Sequence, residues 1–382
     1  MKSTAFWKIA GRSGSPEAVR GTRSGRAPLA VVLAALQLPA AAAGNDIEVR
    51  KVFGPESPGP YKHPASITQL ENGDFYIAYY GGEGEYAKDT AVYGSRLESG
   101  TEAWEAPRVI SDTPFHSEGN AVVWQAPDGL VWLFHVVRYG ATWSTSRIVA
   151  RFSRDGARTW SDTFFLSLEE GLMVRNRPIV LADGDYLLPA YHETGADTER
   201  VGPDSTSLFF RHDRKAKRWS ETARIRSRTG NIQPAPLELR DGRLVAYCRR
   251  GGGYEPCKDG YIVRSESRDG GKTWSPGVDS TFQNPNSAID VLTLRNGHIL
   301  LVFNDSMNER TPLVAALSTD GDASYPHRRA IAEGPGDFAY PYAIQAKDGK
   351  IHVLFTTDER TVIRLAVFEE AQLLESAAGA KK

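Results

Sequence analysis

Two kinds of tight turn alternate along this chain at a regular spacing, and few folds accommodate both. The first is an octapeptide. Ser267-Arg268-Asp269-Gly270-Gly271-Lys272-Thr273-Trp274 recurs nearly letter for letter as Ser153-Arg154-Asp155-Gly156-Ala157-Arg158-Thr159-Trp160, and again from Ser318 to Tyr325 with tyrosine in place of tryptophan. Weaker copies run from His212 to Trp219 and from Ser95 to Trp104. An aspartate can accept backbone N–H groups across such a turn, glycine takes the positive φ angles, and the aromatic residue folds back as an apolar plug. The second turn is Asn-Gly or Asp-Gly between apolar runs, ending at Gly73, Gly129, Gly184, Gly242, Gly297 and Gly349, 52 to 58 residues apart. Each of these is a strong hairpin signal.

A long fixed period means a repeat architecture, here six units of four strands each. The Asp/Asn-Gly turn joins strands one and two of a unit, and the octapeptide joins strands three and four. Six such sheets packed radially give an all-β, six-bladed β-propeller, which leaves only short, protected edges. The expected domain runs over residues 45–370, with a short helical or disordered tail over 371–382. A β-helix or a sandwich would have shorter repeats or would lack two turns per unit.

Residues 1–44 differ in composition. Lys8, Arg12, Arg20, Arg23 and Arg26 precede an apolar run from Ala27 to Leu38 and then small residues from Ala40 to Gly44. That order fits an export signal, and so an exported protein, although a disordered leader or a short anchor has the same composition. No later stretch is apolar for long enough to span a bilayer. The 382 residues carry a formal net charge of -1, which excludes bulk attraction to nucleic acid or to an acidic membrane. Two cysteines, Cys248 and Cys257, are too few for a disulfide scaffold; they either close one small loop or remain free thiols.

Propeller topology sorts the loops by face. Both regular turns share one face, so everything irregular gathers on the other. Blade connections bring His63, Glu118, Arg175, Arg177, Gln233, Asn286, Asp290 and Tyr340 there, and the loops between second and third strands bring Glu83, Glu85, Asp89, Arg138, His192, Glu193, Arg249 and Arg360. A polar pocket fed by several repeats is a usual place for a binding site. Converging arginines suit a planar carboxylate or sulfate, which guanidinium groups hold bidentately. The candidate binding residues are therefore Arg175, Arg177, Arg249, Arg138, His192, Gln233, Asn286 and Asp290. Tyr340, Glu193, His63, Asp89 and Glu118 are the candidates for nucleophile, acid and base. For each of them a solvated rim, a loop cap or plain packing is the competing account.

These stretches resemble the sialidase superfamily. More narrowly, they resemble its bacterial branch of BNR or Asp-box repeat proteins described as predicted neuraminidases. The resemblance covers roughly residues 60 to 368 and rests on His63-Pro64, Arg175-Asn176-Arg177-Pro178, Gln233-Pro234, Asn284-Pro285-Asn286-Ser287, Arg310-Thr311-Pro312 and Tyr340-Pro341. It implies three arginines on a substrate carboxylate and a blade-six tyrosine nucleophile served by a glutamate and an aspartic acid. Arg249 resembles the second arginine and Tyr340 the nucleophile. His63-Pro64 stands where the first arginine belongs, Asn304-Asp305 offers no arginine in blade five, and no glutamate matches the tyrosine's partner. The leading expectation is an exo-acting glycoside hydrolase on a glycan with an anionic sugar, other than a true sialidase. A polysaccharide lyase for uronic-acid or rhamnose glycans, with a histidine or tyrosine base, and a non-catalytic glycan-binding propeller are the alternatives. No cofactor or metal is expected, and the chain is expected to be a monomer or weak oligomer.

Overall fold

The computed structural model describes residues 46–56, 59–196 and 200–379, with side chains to 375; the leader at 1–44 lies outside the described residues. Six antiparallel sheets follow one another along the chain. Their inner strands are Tyr61–Gln69, Ser117–Gln125, the split pair Leu172–Val174 and Ile179–Val180, Asn231–Glu238, Asp290–Thr293 and Ala339–Gln345. In blades one to five the chain then runs outward through three more strands. Blade six is different, because its outermost strand is Glu48–Phe53, paired antiparallel to Val362–Phe368. The ring is thus closed by a strand that precedes blade one in the sequence, and a helix at Glu370–Gly379 follows the last strand of blade six.

The octapeptide turns work as their residue types require. The Asp269 carboxylate accepts the Thr273 amide at 2.9 Å and the Ser267 hydroxyl at 2.8 Å, and the Ser267 oxygen accepts the Gly271 amide at 2.9 Å. Asp155 and Asp320 repeat this pattern. Each aromatic plug seats on the preceding blade: Trp274 stacks on Phe209 at 4.5 Å, Tyr325 meets Phe282 edge-on at 5.2 Å, and Trp160 lies 6.3 Å from Tyr76. The turn therefore closes a hairpin and fastens two blades together. The copy from His212 keeps its aromatic contact with the preceding blade, Trp219 meeting Phe134 at 5.8 Å, while Asp213 accepts the amides of Lys215 and Ala216.

Hydrogen bonds from the Thr273 hydroxyl and amide hold the Asp269 carboxyl down at about 2, and Ser324 does the same for Asp320, also at about 2. A depressed carboxyl contributes stability above its unfolded pKa of about 4 and loses that contribution as pH falls through the folded value. Acid unfolding should therefore develop between about pH 4 and pH 2. In Asp269→Asn the dependence over that window should be shallower, as read by denaturant titration at a series of pH values. An unchanged pH slope would remove these turns from the account of acid stability.

Cys248 and Cys257 are free thiols, the first buried and pushed up to about 12 by burial. Among the described residues no helix is long and apolar enough to cross a membrane.

Candidate active site

The irregular face carries a central pocket with about 520 Å³ of open space. Its floor comes from a repeated defect in the inner strands. Pairing slips between Lys62 and Ala65, Gly119 and Val122, Ile232 and Ala235, and Ala339 and Tyr342. Within or beside these bulges Asn120, Gln233 and Tyr340 adopt left-handed φ of 46°, 53° and 56°, and Asn286 takes 58° just before the blade-five strand. A non-glycine residue in that region costs roughly 1–2 kcal/mol, and a bulge re-aims the side chain it carries. In blades two, four and six the strain turns one polar side chain, Asn120, Gln233 or Tyr340, into the pocket. Asn120, Gln233 and Tyr340 each lie nine residues before the hairpin glycine of their blade, a spacing that is present in the sequence.

Tyr340 is the centre of the pocket. Arg249 Nη1 donates to its phenolic oxygen at 2.8 Å, and the Gln233 amide lies at 3.5 Å. The guanidinium carbons of Arg175, Arg249 and Arg310 stand 5.4, 5.8 and 5.7 Å from the ring centroid. Burial pushes the phenol up, but Arg249, Arg310 and Arg360 outweigh it and bring the phenol below its ordinary value. Arg175, Arg249 and Arg310 are all buried, and among the described residues none is in ion-pair contact with a carboxylate. Arg175 Nε and Arg310 Nη1 are buried without any hydrogen-bond partner. A desolvated, unpaired guanidinium costs several kcal/mol, so the site favours an incoming anion.

Two carboxylates face this cluster in different states. Glu193 is half-buried and its carboxylate has no hydrogen-bond partner among the described residues; desolvation raises it to about 7 against the pull of Arg249. Glu85 is held in an ion pair with Arg360 and accepts the Trp143 indole N–H at 3.2 Å. His63 completes the wall beside Tyr340, with ring centroids 4.1 Å apart. Its Nδ1 is 2.8 Å from the Thr356 hydroxyl, its Nε2 is unpartnered, and burial followed by four arginines holds it neutral, well below the usual imidazole range.

His63, Glu193, Gln233, Arg249 and Tyr340 thus meet in one pocket. Other sequence candidates lie elsewhere. Glu118 is buried inside blade two, accepting Ser111 and Thr113 and facing His135 at 3.1 Å, because the bulge that follows it swaps the inward face to Asn120. The Asp89 carboxylate accepts the Glu83 amide at 3.1 Å and caps its own loop. His192 points outward to Glu169 at 3.7 Å. Arg138 spends both terminal nitrogens on the carbonyls of Tyr86, Gly140 and Ala141, bracing the pocket wall.

Beneath the pocket Arg177 pairs with Asp290 at 2.7 Å, and Asp290 also accepts the Ala343 amide at 2.7 Å, linking blades three, five and six. Arg175 donates to the Pro341 carbonyl at 2.7 Å. Asn286 accepts from Arg249 Nε at 2.7 Å and fixes that arginine from behind. Blade five offers no arginine at Asn304-Asp305, but Arg310, further along the same loop, reaches the Tyr340 ring. Glu85 and Arg360, placed on this face by their loops but not among the candidate site residues, line the pocket together with Tyr254; each sits in a polar loop whose sequence reads equally well as rim.

The BNR repeat-like domain matches residues 73–353. Among curated proteins none matches the chain in sequence. Solved structures with a similar fold include a Hadza microbial sialidase, Hz136, at 15% identity over 82% of this chain and 67% of that one, with a TM-score of 0.69. A protein of unknown function from Dyadobacter fermentans aligns at 16% identity over 84% of this chain and 99% of its own, with a TM-score of 0.68. The intramolecular trans-sialidase from Ruminococcus gnavus aligns at 14% identity over 84% and 97%, with a TM-score of 0.67. At such identities the likeness is one of fold.

Proposed function

This chain belongs to the BNR repeat-like domain family and has the propeller fold of the sialidase superfamily, and from that premise we propose that it hydrolyses the glycosidic bond of an anionic sugar at the end of a glycan. The observation that carries this reading is the group of three buried arginines without carboxylate partners around one phenol. A sugar carboxylate or sulfate supplies the missing counter-charge. It also brings the anomeric carbon to Tyr340, whose phenol is already lowered by the same arginines. Tyr340 attacks that carbon as the phenolate, its charge held by Arg249, and Glu193, protonated below about 7, delivers a proton to the departing oxygen. The Glu193 carboxylate then activates the water that releases the sugar. His63 in place of an arginine, and Gln233 beside the phenol, favour an anionic sugar other than sialic acid.

A second reading is favoured by the neutral imidazole of His63, whose Nε2 is free to take a proton. On a uronic acid that proton is the one alpha to the carboxylate, and elimination follows. A screen against sialosides, uronic-acid oligosaccharides and rhamnosylated glycans, read by product mass, separates the two. Products that together gain one water support hydrolysis. Products with no added water and the ultraviolet absorbance of an unsaturated uronate support elimination. Binding without turnover across the panel would reject both and leave a glycan-binding propeller.

A further inference from the structure

A second depression, with about 1050 Å³ of open space, adjoins the central pocket and shares Tyr254 and Arg360 with its lining. It runs between the blade-five loop at Asn308, Glu309 and Arg310 and the connection at Gly334-Pro335-Gly336-Asp337. The two walls are tied together: Phe338 donates its amide to the Arg310 carbonyl at 2.9 Å, and the Thr311 hydroxyl donates to the Gly334 carbonyl at 3.0 Å. The groove is therefore a built feature.

Tyr254 stands at the junction and is 41% exposed, among the few large apolar rings left open to solvent. It is nonetheless fixed. Arg249 Nη2 donates to its hydroxyl at 3.0 Å and Arg310 Nη2 lies at 3.4 Å, while the Arg310 guanidinium carbon sits 5.3 Å from the ring centroid. The backbone before it is anchored by Asn286, which donates to the carbonyls of Gly252 at 2.8 Å and Gly253 at 3.3 Å. Gly252 has φ +96°, so the chain can turn sharply enough to present the ring. A rigid, exposed aromatic beside a polar groove costs little entropy when it is covered by a flat, partly apolar partner. Arg310, 6% exposed and with Nη1 unpartnered, offers a free donor at the same junction. Glu309 and Asp337 are exposed acids on the rim, which accept hydroxyl groups and repel a second anion.

We propose that this groove binds the sugar adjoining the anionic one, a neutral hydroxyl-bearing pyranose laid on the Tyr254 ring. The inference rests on the anionic-sugar reading of the central pocket and extends it, since it makes the recognised unit at least a disaccharide. Tyr254 then acts as a positioning residue. It couples the groove to Arg249 and Arg310, so that the neighbouring sugar aligns the bond to be cleaved.

The test is titration calorimetry in a Tyr340→Phe background, with matched probes: N-acetylneuraminic acid against 3′-sialyllactose, and glucuronic acid against glucuronosyl-xylobiose. For the pair that binds, the longer probe should be tighter by roughly tenfold, the scale of one aromatic contact. Tyr254→Ala should abolish that advantage and Tyr254→Phe should keep most of it. Pro335→Trp, which fills the groove from its outer wall, should abolish the advantage while leaving monosaccharide affinity within about twofold of its parent. Equal affinity for a bound monosaccharide and its longer partner would overturn the groove and leave the central pocket's reading standing. Failure of all four probes to bind would overturn both.

Discussion

Tyr340→Phe is expected to cut turnover by on the order of 10³-fold or more while leaving affinity for the anionic sugar nearly unchanged. The substitution removes one oxygen. That oxygen is the atom to which Arg249 donates at 2.8 Å, and the arginines that hold the sugar's charge remain. Steady-state kinetics on the best substrate from the screen, with calorimetry on its product, separate the two effects. A variant with near-normal kcat would end the assignment of Tyr340 as nucleophile. The same kinetics should show activity falling as pH climbs past about 7, because Glu193 is then ionised and has no proton to give. Glu193→Gln should be slow at every pH and should lack that alkaline limb. A limb that persists in Glu193→Gln would place the acid elsewhere.

Asp290→Ala is expected to destabilise the fold by about 3–5 kcal/mol, the usual cost of removing one partner of a buried ion pair. Asp290 is 1% exposed and is held to both Arg177 and the Ala343 amide. Truncation would leave a guanidinium and a backbone N–H unsatisfied under the pocket floor. Asp290→Asn keeps an acceptor for the amide and should cost less. Urea unfolding of the two variants measures the difference, and a loss below about 1 kcal/mol in the alanine variant would show that this axial tie is dispensable.

Local chemistry explains how much of the architecture could be read from the chain. The Asp269 turn and the six Asp/Asn-Gly hairpins depend on residues within a few positions of each other, so their geometry is written where they occur. The site depends on parity. Glu118 and Asn120 would share a face in a regular strand, yet one extra residue in the bulge sends Glu118 to His135 and Asn120 to the axis. The same difficulty hides the difference between Arg249, which enters the pocket, and Arg177, which turns beneath it to Asp290. Arg310 and Arg360 come from loops, where no periodicity predicts direction. Their roles follow from what they meet: Tyr254 and Asn286 for the first, Glu85 for the second.

The strand Glu48–Phe53 has a temporal consequence. During synthesis it leaves the ribosome before any blade exists, yet its strand partner among the described residues, Val362–Phe368, is made only after five blades have been completed. It must wait unpaired until blade six is available. Arg360, in the loop leading into that partner strand, accepts the Lys62 amide of blade one on its carbonyl at 2.9 Å and pairs with Glu85 there. The pocket is therefore assembled at the seam between blades six and one. Any activity would be withheld until blade six has been made, a delay imposed by the order of the strands.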